Sequence, residues 1–307
     1  MSFNQLLTEL NKKKGSLCLT IRAQREKIPF ETRRIHCHQP YHFLIQYFKK
    51  IIDTCGESAM GIEFDVPSFQ TFGHEGIHGM EVLLKYAREE KKIFCIYGGT
   101  ISASTQNAAC NGERAEQLSD HVYSIADAVN LNPYFGNKDG IADFLIGAPD
   151  NGGFITCKTA GFHEGEFQNL LIDPENQTHD HWDKFGNYPK RIADLLEMKA
   201  VPLWLLTAYR MSDQWGLSGK CSIAIDGLAL EANIALTRKA IREDMHILIP
   251  YRENIKQILA KGRLKNTDRG VFVKISDEII YALAGDNYAD AAAEKAKFFK
   301  SLLAEHS

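Results

Sequence analysis

No apolar run in the sequence is long enough to span a bilayer. The longest, Val201-Pro-Leu-Trp-Leu-Leu-Thr-Ala-Tyr209, falls far short of the roughly 20 residues that a membrane helix needs. The basic run Lys12-Lys13-Lys14 precedes only Leu17-Cys-Leu-Thr-Ile21, too brief for the core of a secretory signal, so a cytoplasmic chain is expected. Charge of one sign is lacking too: 36 basic residues stand against 39 acidic ones, a net of −3, which leaves no electrostatic footprint for nucleic acid or an anionic membrane. No CxxC pair occurs among the seven cysteines, at 18, 37, 55, 95, 110, 157 and 221, and their number is odd. That spacing argues against a zinc site and against a disulfide framework. Cys18, Cys95 and Cys157 sit in apolar runs, where a reduced thiol packs as a small hydrophobe. Low-complexity stretches and linkers rich in Pro, Gly or Ser are also missing, so residues 1–307 read as one domain.

What is present is alternation. Short runs rich in apolar, β-branched and aromatic residues stand at 17–22, 59–66, 93–97, 127–132, 153–159, 221–227, 246–250 and 271–275. They have the character of strands buried on both faces. Amphipathic helical patterns fill 40–54, 76–91, 112–126, 138–147, 185–213, 229–243, 252–262 and 287–304. Eight strands alternating with eight helices are the arithmetic of a (β/α)₈ TIM barrel. A doubly wound sheet would announce a glycine-rich phosphate turn after its first strand, and Ile21-Arg22-Ala23-Gln24-Arg25 has no glycine. In a barrel the chemistry gathers where the strands end.

One segment is distinctive. Ala126-Asp-Ala-Val-Asn-Leu-Asn-Pro-Tyr-Phe-Gly136 resembles the A-D-A-V-T-V-N-P-Y-L-G signature of the longer bacterial orotidine 5′-phosphate decarboxylases. Weaker pieces follow in the same order: Phe48–Asp53 and Phe69–Gly73 around strand 2, Thr156–Thr159 with Glu166–Gln168 at strand 5, Trp215 before strand 6, Asp244–Pro250 at strand 7 and Ile279–Ala282 after strand 8. The resemblance implies a decarboxylase-like barrel of pyrimidine metabolism, opened by a helix that starts at Ser2-Phe3, and usually a homodimer.

The charged positions of that family are changed. Its strand 3 signature, D-x-K-R-G-D-I-G-x-T, aligns with Ile96-Tyr-Gly98-Gly99-Thr-Ile101 and Ser102–Thr105, so both aspartate positions are isoleucine and the lysine position is Gly98. On strand 2, where the family reads Y-K-P-N, this chain reads Ile62-Glu63-Phe64-Asp65, and Arg22 replaces the aspartate after strand 1. Decarboxylation leaves charge on a ring carbon and calls for a fixed ammonium to stabilise and then protonate it. Glycine and isoleucine supply neither. The phosphate loop after strand 7, P-G-x-G-A-Q-G-G in the family, is Pro250-Tyr-Arg252-Glu-Asn here, and the S-S-R-G after strand 8 is Ile275-Ser-Asp277-Glu278. Two carboxylates near a phosphate dianion repel it by about 1–4 kcal/mol per pair.

The candidate ligand-binding residues of the mouth are Arg22, Glu63, Asp65, Asn132, Thr159, Asp226, Arg252 and Lys274. Glu63 and Asp65 form either an ion pair with Arg22 or a general acid/base pair, and Lys158 packs its stem with its charge at the rim. The pairs His36/His38 and His179/His181 could put two imidazoles on one strand face but lie in polar loop sequence. His74 and His78, at a helix start, lack a nameable third ligand and read as helix-surface histidines. Neither metal nor cofactor is expected, and no catalytic residue is carried over. Three functions follow: a barrel that has lost the parent chemistry and binds a nucleotide-like small molecule or a partner, an enzyme of altered specificity with a lyase-like mouth, or a retained decarboxylase. Ile101 stands where the family exchanges an aspartate across a dimer, and an apolar residue there suits a homodimer interface.

Overall fold

Strands Leu17–Ile21 (β1), Gly61–Asp65 (β2), Phe94–Ile101 (β3), Ala128–Leu131 (β4), Gly152–Lys158 (β5), Cys221–Ile225 (β6), Ile247–Pro250 (β7) and Val271–Ile275 (β8) close into one parallel barrel. The ring closes at β1, which pairs with β8 through Leu17 and Val273 and with β2 through Cys18 and Gly61. The computed structural model describes residues 1–35, 39–101, 113–136, 141–146, 151–161, 164–173, 188–214, 219–264 and 270–305. Ser102–Thr105, Trp215 and the pairs His36/His38 and His179/His181 lie outside them.

Helices Pro40–Cys55, Gly73–Lys85, Glu113–Ile125, Leu230–Ala240, Ile255–Gly262 and Tyr288–Ala304 surround the barrel, which is the expected (β/α)₈ fold. Their apolar stripes pack on the outward faces of the strands, so both strand faces are buried and the runs are continuously apolar. The expected single helix at 185–213 is two, Tyr188–Leu196 and Leu203–Gln214. Between them Val201–Pro202 pairs antiparallel with Leu171–Ile172. Proline has no N–H to give and its ring blocks the preceding turn, so no helix runs through Pro202.

The opening helix, Phe3–Lys14, closes the N-terminal end of the barrel. Ser2 and Gln5 cap it reciprocally, Gln5 N donating to Ser2 Oγ and Ser2 N to Gln5 Oε1. Phe3 and Leu7 then press on an interior layer that includes Phe94, Phe154, Leu248 and Phe272, with the Phe3 and Phe154 rings edge to face at 5.8 Å. Beside them His246 is fully buried. Its ring stacks on Phe272, Nε2 lies 3.5 Å from Thr8 Oγ1, and Nδ1 has no hydrogen-bond partner. Burial, reinforced by Arg238, lowers its pKa to about 3. The described cysteines, Cys18, Cys55, Cys95, Cys157 and Cys221, are buried and in no disulfide, and burial raises each thiol. No described helix is long and apolar enough to cross a membrane.

Candidate functional site

With one end of the barrel sealed, polar side chains collect at the other. Inward positions alternate with outward ones along a strand, so each strand sends every second residue to the axis. Thr20 and Arg22 come from β1, Glu63 and Asp65 from β2, Thr156 and Lys158 from β5, and Lys274 and Ser276 from β8 and its end. Together they line a cavity of about 570 Å³.

Glu63 is its hub. Register places it beside Thr20, whose Oγ1 donates to Glu63 Oε2 at 2.9 Å. The other oxygen, Oε1, accepts from Asn130 Nδ2 at 2.6 Å and from Lys274 Nζ at 3.4 Å. Asn130 lies on β4, so the carboxylate reaches it across β3, and Gly98 opens that passage. A Cβ at Gly98 would lie 2.7 Å from Glu63 Cγ and 2.5 Å from the Phe64 carbonyl oxygen. Glu63 is 3% exposed, and a carboxylate that far from water is tolerable because hydrogen bonds and an ammonium meet it. Burial pulls the Lys274 ammonium down, but Glu63 outweighs that and holds it above its ordinary value.

Around this centre the rim is built of ion pairs. Arg22 Nε meets Asp65 Oδ2 at 3.0 Å, and Arg252 Nη2 meets Asp226 Oδ1 at 2.6 Å. Asp277, past β8, accepts from Lys27 Nζ at 2.6 Å and from Gln24 Nε2 at 3.0 Å. Burial pushes the Asp277 carboxyl up, yet those donors outweigh it and leave it below the usual carboxylate range.

Lys158 is not at the rim. Its side chain is 2% exposed, with Nζ 2.5 Å from Asn169 Oδ1, 3.8 Å from Glu164 Oε2 and 5.3 Å from the centre of the Trp204 ring. The chain after β5 folds back over it, because Gln168 Nε2 donates to Thr159 Oγ1 while Gln168 Oε1 accepts from Thr159 N. Burial lowers the Lys158 ammonium from its ordinary value, and Glu164 offsets part of that.

Of the sequence candidates, Arg22, Glu63, Asp65, Thr159, Asp226, Arg252 and Lys274 share the cavity. Asn132 does not line it. Its Oδ1 instead accepts from Tyr134 N and caps the turn Pro133–Phe135. The asparagine of the site is Asn130, one alternation earlier, and with Thr20 and Lys158 it completes the set that sequence reasoning missed. The signal available was the two-residue period counted back from each strand end. His74 and His78 are exposed on Gly73–Lys85, where His78 stacks on Tyr41. Among the described residues no three His, Cys, Asp or Glu side chains are placed to hold a metal ion.

Chemically, the cavity offers five carboxylates (Glu63, Asp65, Asp226, Asp277, Glu278) against four cations (Arg22, Lys158, Arg252, Lys274). Each of those cations already faces a carboxylate. The arrangement suits a small polar molecule read by hydrogen bonds, and a dianion would have to break an ion pair to find a free cation.

No model of a known protein family matches the chain. Over nearly its whole length it is similar to proteins named orotidine 5′-phosphate decarboxylase. The one from Janthinobacterium sp. (strain Marseille) is 24% identical over 301 residues, covering 96% of each chain. The one from Caldicellulosiruptor bescii is 24% identical over 328 residues, covering 98% of this chain and 96% of its own. The fold agrees: an OMP decarboxylase of Leishmania donovani superposes with a TM-score of 0.68 over 100% of both chains at 19% identity. The orotidine 5′-monophosphate decarboxylase of Plasmodium berghei gives 0.70 over 99% of this chain and 98% of its own, at 11% identity. The chain is thus similar over nearly its whole length to proteins named orotidine 5′-phosphate decarboxylase and shares the barrel of the solved ones.

Proposed function

We propose that this barrel does not decarboxylate orotidine 5′-phosphate and instead holds a small, unphosphorylated polar molecule in its mouth. One observation carries the reading: at the two positions where the related signature has lysine, this chain has a buried carboxylate, Glu63, and a glycine, Gly98, beside which a Cβ has no room. A carboxylate there opposes the charge that decarboxylation develops, where a fixed cation would stabilise it. The rim supports the same view, since Asp277 and Glu278, which stand at the positions of the related phosphate-binding S-S-R-G, line the cavity and Arg252 is tied to Asp226.

The test mixes purified protein with orotidine 5′-phosphate and follows the ultraviolet change on conversion to uridine 5′-phosphate, with calorimetry of uridine 5′-phosphate binding alongside. The expected result is no turnover above buffer and no nucleotide heat. Turnover that disappears in Lys274→Met would overturn the reading, and tight nucleotide binding without turnover would replace the unphosphorylated ligand with a nucleotide.

A second reading, an enzyme of altered specificity, is favoured by one specific feature. Two lysines share the cavity in opposite environments, Lys274 held protonated by Glu63 and Lys158 moved toward its neutral form by burial. Divergent environments of that kind are how one site divides acid from base.

A further inference from the structure

The wall formed by β5 and β6 carries an arrangement that neither ligand retention nor packing requires. Lys158 runs inward past Gly227, whose φ of +122° and missing side chain keep the channel open. A Cβ at Gly227 would lie 2.6 Å from Lys158 Cε and 2.9 Å from both Glu164 Oε2 and Asn233 Nδ2. Three groups converge on the amine: the Asn169 carbonyl oxygen accepts from it, the Trp204 ring lies 5.3 Å away on one side, and Glu164 is its ion-pair partner with Oε2 at 3.8 Å. Glu164 Oε2 is buried and accepts no hydrogen bond. A lysine kept only for packing would carry an alkyl stem to the surface and leave its head in water. This one ends inside, on the lining of the cavity, beside a carboxylate oxygen that faces it without a hydrogen bond.

We propose that Lys158 forms an imine with a small aldehyde or ketone admitted through the barrel mouth, with Glu164 as the proton carrier. Nζ of the neutral amine bonds to the carbonyl carbon, and the π pair moves to the carbonyl oxygen. The proton released from Nζ passes through the Glu164 carboxylate to that oxygen, giving a carbinolamine. Glu164 then carries the remaining Nζ proton to the hydroxyl, the C–O bond breaks so that the hydroxyl departs as water, and the electron pair left on nitrogen closes the C=N bond. Atoms balance with water as the sole by-product, and no oxidant or reductant is consumed. Desolvation of Lys158 favours the neutral amine that the first step needs. Lys274, held as a cation by Glu63, is left to meet an anionic group of the substrate such as the carboxylate of a 2-oxo acid. The inference stands on the β5–β6 cluster and not on the fate of the orotidine reaction.

The test incubates the full chain with pyruvate and, separately, with dihydroxyacetone, each with sodium borohydride, and locates reduced adducts by peptide mass spectrometry. An adduct on the Lys158 peptide, absent in Lys158→Arg, is expected, and Glu164→Gln should slow its formation by on the order of 10²-fold. A second measurement does not depend on the choice of carbonyl: reductive methylation with formaldehyde at neutral pH should label Lys158 ahead of exposed lysines such as Lys12 and Lys49. Adducts confined to surface lysines with both carbonyls, or a Lys158 that stays unmethylated while the surface reacts, would overturn the proposal. Neither outcome bears on whether orotidine 5′-phosphate is turned over.

Discussion

Mild acid should weaken this barrel through one side chain, His246. The ring is fully buried, stacked on Phe272, and its pKa falls from 6.5 to about 3 on folding. Below pH 6.5 the unfolded chain takes up a proton that the folded one refuses, so stability declines as pH drops from 6.5 toward 3. Each pH unit inside that window costs about 1.4 kcal/mol, and the loss between pH 7 and pH 5 comes to about 2 kcal/mol. Asp53 and Asp277 do not confuse the reading. Their carboxyls are lowered by the fold, so the stability they contribute is lost only as pH falls below 3.8. Urea unfolding at pH 7, 6 and 5 measures the slope directly, and His246→Gln, which cannot titrate, supplies the comparison. The variant is expected to lose about 2 kcal/mol less than the parent over that range, whatever its absolute stability. Parallel losses in the two proteins would refute the argument and place the acid-sensitive group elsewhere.

Two further outcomes are expected. Glu63→Leu should cost about 3 kcal/mol by urea unfolding, because it strands Lys274, Asn130 and Thr20, and adding Lys274→Met should restore part of that loss. Strictly additive effects would mean that the pair is not coupled. Tyr134 and Phe167, their rings 5.3 Å apart, are exposed, as is Leu171, and apolar surface of that kind suits a second copy of the chain. Light scattering is therefore expected to give twice the 34.6 kDa of the chain, and a monomeric mass would remove the dimer.

The barrel was legible in the sequence because strands clothed on both faces must be apolar throughout, and all eight runs could be found by that property. Pro202 was equally visible as a helix breaker, but the amphipathic pattern on either side of it read as continuous. At the site, residue types at strand ends identified Glu63, Asp65 and Lys274 as mouth residues. What they bond to was not legible, since it depends on register and on a void: Glu63 finds Thr20 because β1 and β2 align them, and Asn130 because Gly98 has no side chain. The family position points to Asn132 at the end of the strand, whereas strand alternation brings Asn130, two residues earlier, to Glu63. The depth of Lys158 could not be read locally either, because it is set by Gln168, ten residues further along, folding back onto Thr159.

The crossing of Glu63 beneath the bare backbone of Gly98 makes the two positions hostage to each other. A lysine introduced at 98 would drive its β-carbon into the Phe64 carbonyl and the Glu63 stem. Removing Glu63 first to clear the way would leave the Lys274 ammonium without its counter-ion. A route toward a lysine at 98 must therefore alter both sites and move β3 against the neighbouring β2, since a change at either position alone clashes or strands a charge.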